Sequence, residues 1–174
     1  MVCILEKERG DSLRDGTEYY LRNATVRDAG LIETWLEDSR DCQMAIGHAP
    51  LTGRDFPEWL EAEDQRCWIL DGPDGPLGYG EIWVDETSKD LELAHLVVSP
   101  KHRNQGLGRL LTALLFERGR QYGFPSVFMR IYPENAPALN CYASAGFTRV
   151  SDLTSDMGSQ WVWLAKFYDG AHCV

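Results

Sequence analysis

Ser99–Arg109 (SPKHRNQGLGR) follows a predicted strand and opens a predicted helix. Two glycines, Gly106 and Gly108, let the backbone there come close to a ligand. The first turn of a helix carries N–H groups without intrahelical partners, backed by the positive end of the helix dipole. Such a turn binds anions. Lys101, His102, Arg103 and Arg109 surround it with basic side chains, so a diphosphate is the natural guest. Two common nucleotide fingerprints are absent. No Gly-Lys-Ser/Thr follows, which excludes a P-loop. Of the GxGxxG pattern only Gly106-Leu107-Gly108 occurs, with Leu111 where the third glycine would stand. Without a ligand, the same residues read as a glycine-softened helix start bearing surface arginines.

Metal and disulfide chemistry are not indicated. Cys3, Cys42, Cys67, Cys141 and Cys173 are scattered, odd in number and never arranged CxxC. His48, His95, His102 and His172 lack ligand spacing, and no metal is expected.

The elements around the loop alternate in period. Tyr19–Val26 reads as a strand, and Leu31, Ile32, Trp35 and Leu36 mark a helix over 31–38. Residues 39–54 give no clear pattern. Phe56–Gln65 reads as a short helix, with Pro57 in its first turn. Cys67–Leu70 and Leu77–Val84 form a hairpin across the turn signal DGPDG. Leu91–Val98 is the fourth strand. Leu107, Leu110, Leu111, Leu114 and Leu115 give one face of a helix that ends near Gly123. Ser126–Tyr132 is the fifth strand, followed by a helix over Ala136–Ser144 and strands near Phe147–Val150 and Gln160–Phe167. The order β-α-α-β-β-β-α-β-α-β-β predicts an α+β protein with a sheet of mixed strand direction.

The 174 residues suit one domain over 17–174, preceded by a loose charged extension over 1–16. No apolar run is long enough to span a membrane, and the N-terminus lacks the pattern of a signal peptide, so a cytoplasmic protein is expected. The net charge of −10 argues against a nucleic-acid partner. It is unevenly distributed. Residues 1–90 hold 9 Lys/Arg against 21 Asp/Glu, and residues 91–174 hold 8 against 6.

Arg103-Asn104-Gln105-Gly106-Leu107-Gly108 resembles the Arg/Gln-x-x-Gly-x-Gly/Ala signature of the GNAT superfamily of N-acetyltransferases. The preceding LVVSP is similar to that family's fourth strand. The downstream NAPALNCYASAGF is similar to its Asn…Tyr-x-x-x-Gly-Phe motif. The likeness is specific across about residues 77–150. It implies a mixed, mostly antiparallel central sheet flanked by helices, with the fourth and fifth strands splayed apart to take acetyl-CoA. The backbone of Leu96, Val97 and Val98 would hold the pantetheine arm like an added strand. Arg103, Asn104, Gln105, Gly106, Leu107, Gly108 and Arg109 would hold the diphosphate, and Asn135 would contact the cofactor near its thioester end.

The same resemblance makes Tyr142 the general acid. A departing thiolate needs a proton, and a phenol can supply it. An amine acceptor is protonated at neutral pH, so a base is needed before attack. Glu92 matches the base position of the histone acetyltransferase branch, with Glu81 as second candidate. In a regular strand His95 points away from Glu92; a bulge would change that. The ribosomal-protein alanine acetyltransferase branch keeps a glutamate where this chain has Arg130. Direct attack is expected, with the Val98 N–H polarising the carbonyl and no covalent intermediate on Cys141.

The acceptor is expected against the first two helices and the loop after them. Trp35, Trp59, Glu33, Glu37, Asp38, Glu61, Glu63 and Asp64 lie there, and they suit a cationic amine. Edge strands and the aromatic segment QWVWLAKF point to a homodimer. Two further readings stand beside catalysis by amine acetylation: a non-catalytic acyl-CoA-binding module, and an acyltransferase with another acyl chain or acceptor.

Overall fold

The computed structural model describes residues 11–12, 18–150 and 160–169. The strands are β1 (Glu18–Asn23), β2 (Gln65–Gly72), β3 (Gly75–Asp85), β4 (Asp90–Val98), β5 (Ser126–Ile131), β6 (Thr148–Arg149) and β7 (Val162–Phe167). The helices are α1 (Ala29–Trp35), α2 (Ser39–Ile46), α3 (Asp55–Glu61), α4 (Leu107–Gly119) and α5 (Ala136–Ser144). Asp11–Ser12 pair beside β1 and complete an eight-stranded sheet; the rest of the extension expected over 1–16 lies outside the described residues. The order onward from β1 is β2-β3-β4-β5-β7-β6. Every ladder is antiparallel except β4 with β5. This is the expected α+β architecture.

Each face of the sheet is covered. On one, Leu107, Leu110, Leu111, Leu115 and Phe116 of α4 pack on Leu77, Ile82, Leu91, Leu93 and Val127. On the other, Ile32, Trp35, Cys42, Ile46 and Phe56 of α1–α3 pack on Cys67, Ile69, Tyr79 and Val97. Burial of these side chains is the main favourable term in folding. No helix among the described residues is long and apolar enough to cross a membrane.

Several boundaries differ from expectation. β1 stops at Asn23 because the Asp28 carboxylate accepts from the Thr25 amide (2.8 Å) and hydroxyl (3.0 Å), turning the chain into a 3₁₀ turn over Val26–Asp28. α1 ends at Trp35 because Asp38 starts another helix, accepting from the amides of Arg40 (3.0 Å) and Asp41 (2.9 Å). That helix, α2, occupies the stretch that showed no pattern, and the left-handed Gly47 (φ 83°) ends it. α3 stops at Glu61 because Ala62 is already extended. β7 begins at Val162 rather than Gln160.

Candidate active site

β4 and β5 pair at only two positions, Leu91 with Val127 and Glu92 with Phe128. Beyond Glu92 they separate, and a cleft of about 1280 Å³ opens there. Its walls are the second half of β4, Met129–Ile131 of β5, the loop before α4, α5 and one side of α2.

Ladder alternation aims β4 at this opening. The Ser99 N–H donates to the Leu77 carbonyl at 2.9 Å, towards β3. The N–H and C=O of Val98 therefore face the other edge, the cleft. Arg103 Nε reaches the Val98 carbonyl there at 3.3 Å. Leu96, Val97 and Val98 all line the cleft.

At the mouth, the loop opens α4 with left-handed backbone, and only some of its side chains face the cleft. Asn104 (φ 62°) and Gly106 (φ 84°) adopt left-handed backbone, and Gly106 caps α4. The amides of Asn104–Arg109 donate to no protein acceptor among the described residues. Arg103, Asn104, Gly106, Gly108 and Arg109 line the cleft; Gln105 is exposed outside it and the Leu107 side chain is buried in the core. Gly108 serves packing. A Cβ there would lie 2.9 Å from Cys141 Sγ of α5, so the missing side chain lets α5 seat on the first turn of α4. Arg103 Nη1 is paired with Asp41 of α2 at 2.6 Å, an exposed contact of small energetic worth.

Asn135 lines the cleft and also caps α5, its side chain accepting from Ala138 N at 3.3 Å. The half-buried Tyr142 lines the cleft about two helical turns further on. Burial pushes its phenol above the ordinary value, and Cys141 adds to the rise. Its hydroxyl has no hydrogen-bond partner among the described residues. Burial likewise raises the Cys141 thiol, which is no help to a nucleophile.

Glu92 lines the cleft at the point of separation, held by Arg130 Nε at 2.6 Å. Burial raises its carboxyl and Arg130 opposes the rise. A carboxyl whose folded value is raised binds protons more readily in the native state, so its contribution to stability falls as pH increases. Arg130→Met removes the opposing cation and deepens that fall. Its melting temperature should lie below wild type by more at pH 8 than at pH 5, measured by thermal unfolding in matched salt.

Residues 94–97 of β4 contain the bulge that the sequence left open. Pairing with β3 passes from Val97–Tyr79 to Ala94–Glu81, and His95 takes φ 50°. Gly80 faces the bulge, where a Cβ would meet Leu96 Cγ at 3.3 Å and Leu115 Cδ1 at 2.7 Å. The turned imidazole lines the cleft and its Nδ1 lies 2.9 Å from Glu81 Oε1.

The acceptor side is built differently from expectation. Trp35 is core and Trp59 stacks within the sheet-facing aromatic cluster. Glu33, Glu37, Glu61 and Glu63 are exposed and line no part of the cleft, Asp38 caps α2, and Asp64 lies by a separate pocket. In their place stand Arg40, Asp41 and Met44 of α2, with Tyr132 and Trp161, whose rings lie 4.2 Å apart. The signals that could have revealed α2 were Asp38 and Gly47 at its two ends, with Cys42 and Ile46 one turn apart.

Residues 32–147 match the Acetyltransferase (GNAT) family. Streptothricin acetyltransferase of Streptomyces lavendulae is 30% identical over 98 residues, covering 55% of this chain and 52% of that protein. Mycothiol acetyltransferase of Thermomonospora curvata is 42% identical over 143 residues, covering 74% of this chain and 48% of that one. The chain thus spans about half the length of these curated relatives. In fold it resembles the aminoglycoside acetyltransferase AAC(6')-Ib, solved with coenzyme A, at a TM-score of 0.72 and 23% identity over 86% of this chain and 95% of that one. The matched segment carries the split between β4 and β5, the amide-lined loop and Tyr142, and this chain belongs to the GNAT acetyltransferase family.

Proposed function

We propose that the protein transfers an acetyl group from acetyl-CoA to a primary amine by direct attack in a ternary complex. The observation that carries this reading is the separation of β4 from β5, which opens a strand edge and leads to the amides of Asn104–Arg109, unpaired among the described residues. Those residues fit a molecule with an anionic diphosphate and an amide-bearing arm. Arg109 adds charge at the loop, and Asn135 flanks the inner end. When bound, acetyl-CoA supplies a thioester carbonyl as the electrophile.

The protein's own groups do the rest. The Val98 N–H, turned to the cleft, donates to the oxygen on which charge develops. Tyr142, kept protonated by its burial, gives its proton to the leaving sulfur. The acceptor enters between α2 and β5, where Arg40, Asp41, Tyr132 and Trp161 stand. The likeness to an aminoglycoside acetyltransferase supports a cationic amine, whereas the exposed acids of α1 and α3 stand outside the cleft.

A panel of primary amines, from aminoglycosides and polyamines to amino-acid esters, tests this with free thiol as readout. Amine-dependent thiol release is expected. CoA binding without turnover of any amine would instead support a binding module. Gly108→Val should weaken CoA binding about tenfold, about 1.4 kcal/mol, by pushing the first turn of α4 off Cys141. Calorimetric titration with CoA measures it, and an unchanged Kd would remove the loop from the site.

A further inference from the structure

We propose that His95 is the general base of the transfer and that Glu81 positions it, an assignment that rests on the acetyl-transfer reading above. Glu81 is fully buried, with 0% exposure, yet surrounded by donors. Its Oε2 accepts from Trp83 Nε1 at 2.5 Å, a group that can only donate. Its Oε1 accepts from the Tyr79 hydroxyl at 2.5 Å and lies 2.9 Å from His95 Nδ1. A carboxylate accepts all three bonds, and the tautomer it selects carries the proton on Nδ1. The Nε2 lone pair is then left for a substrate. Nε2 has no partner among the described residues, and the ring lines the cleft.

The surroundings hold the ring in this pose. The left-handed backbone of the β4 bulge turns it, and the rings of Trp59 (4.6 Å) and Trp83 (5.3 Å) pack against it. Left-handed backbone on a residue other than glycine inside a strand is costly and persists where surrounding contacts enforce it. Glu92 lacks this freedom, because Arg130 engages its carboxylate. The ionisable groups around the imidazole are Tyr79 and Glu81 on β3, Cys67 behind them on β2, Glu92 on its own strand and Arg130 on β5. From the facing helices, α3 contributes the Trp59 ring, and α2 brings Arg40 and Asp41 to the same cleft.

Nε2 takes one proton from the acceptor's ammonium. The freed lone pair forms the C–N bond, and the C–S bond breaks with its electron pair on sulfur. Tyr142 protonates that sulfur. The surplus proton on the new amide nitrogen restores the phenol through solvent, and the imidazolium returns its proton to bulk water. One proton is released per turnover.

His95→Asn is the informative variant, because asparagine tolerates left-handed backbone and cannot act as the base. It should lower kcat/KM for an ammonium acceptor about 100-fold and abolish the acidic limb of the pH profile, while the Kd for CoA stays unchanged. Glu81→Gln should lower kcat/KM less and shift that limb, again with CoA binding intact. With an amine of pKa well below the assay pH, no ammonium proton needs removal, and the His95→Asn deficit should shrink to a few-fold. A wild-type profile in His95→Asn, or an equal deficit for both amines, overturns the assignment. Loss of the acidic limb in Glu92→Gln but not in His95→Asn moves the base to Glu92. Absence of thiol release from the wild-type protein with every amine overturns the transfer reading itself, and the base with it.

Discussion

Tyr142→Phe should lower kcat about 100- to 1000-fold while leaving the Kd for CoA within a factor of two. General acid catalysis contributes 10²- to 10⁴-fold in rate, roughly. The phenylalanine ring keeps the packing of α5 against the cleft, so binding survives the change. Only the proton is lost. Burial raises the Tyr142 phenol above its ordinary value of about 10, so the wild-type residue is a filled donor throughout the neutral range. Without it the sulfur leaves as a thiolate into a half-buried site, or waits for water. Steady-state thiol release and calorimetric CoA titration on the same preparation separate the two effects. A kcat within a few-fold of wild type would remove Tyr142 from the proton path.

The second large effect concerns stability. Arg22 of β1 ties two carboxylates that are each only 7% exposed: Asp28 (2.7 Å from Nη2) and Asp71 (2.7 Å from Nε). Arg22→Met should destabilise the fold by about 3 kcal/mol at neutral pH, the lower end of the range for breaking a buried pair, because Arg22 itself is partly exposed. Removing the cation leaves two buried carboxylates facing each other. The pH dependence follows from Asp28, whose carboxyl Arg22 holds below the ordinary value. Such a group stabilises the fold above its unfolded pKa, and that contribution is lost as pH falls through the folded value. In the variant the Arg22 share of the lowering is gone, only the Thr25 bonds still favour the charged form, and burial favours protonation. The gap between wild type and variant should therefore narrow towards about pH 4, where carboxyls begin to neutralise. Urea unfolding at neutral and acid pH measures the gap. A gap that stays constant or widens on acidification would contradict this account.

The sequence disclosed the architecture more completely than the chemistry. The leucines from Leu107 to Leu115 and the alternating strands had unmistakable periods, and their faces are buried as those periods require. The helix start from Asn104 to Arg109 was legible because its glycines and basic side chains stand immediately before the leucine period. α2 was not, because only Cys42 and Ile46 of its eight residues are buried, so its period rests on a single pair beside the caps Asp38 and Gly47. The cluster around Glu81 was hidden for a different reason. Strand alternation places His95 and Glu92 on opposite faces, and a bulge breaks that rule. The pairing of Glu92 with Arg130 was also out of reach, since it joins residues 38 apart in sequence across two parallel strands. The acidic residues of the first half were plain in the composition, but most point to solvent, and α2 brings only Arg40 and Asp41, of opposite sign, to the cleft.

The most direct test of acetyl transfer is a mass balance. Protein, acetyl-CoA and an amine acceptor identified from the panel are incubated, and free CoA and acetylated amine are quantified by mass spectrometry. The predicted result is one N-acetylated amine per CoA released, with no acetylated protein at any time point. Release of CoA without acetylated amine, or acetyl groups retained on the protein during turnover, would contradict direct transfer to an amine in this cleft.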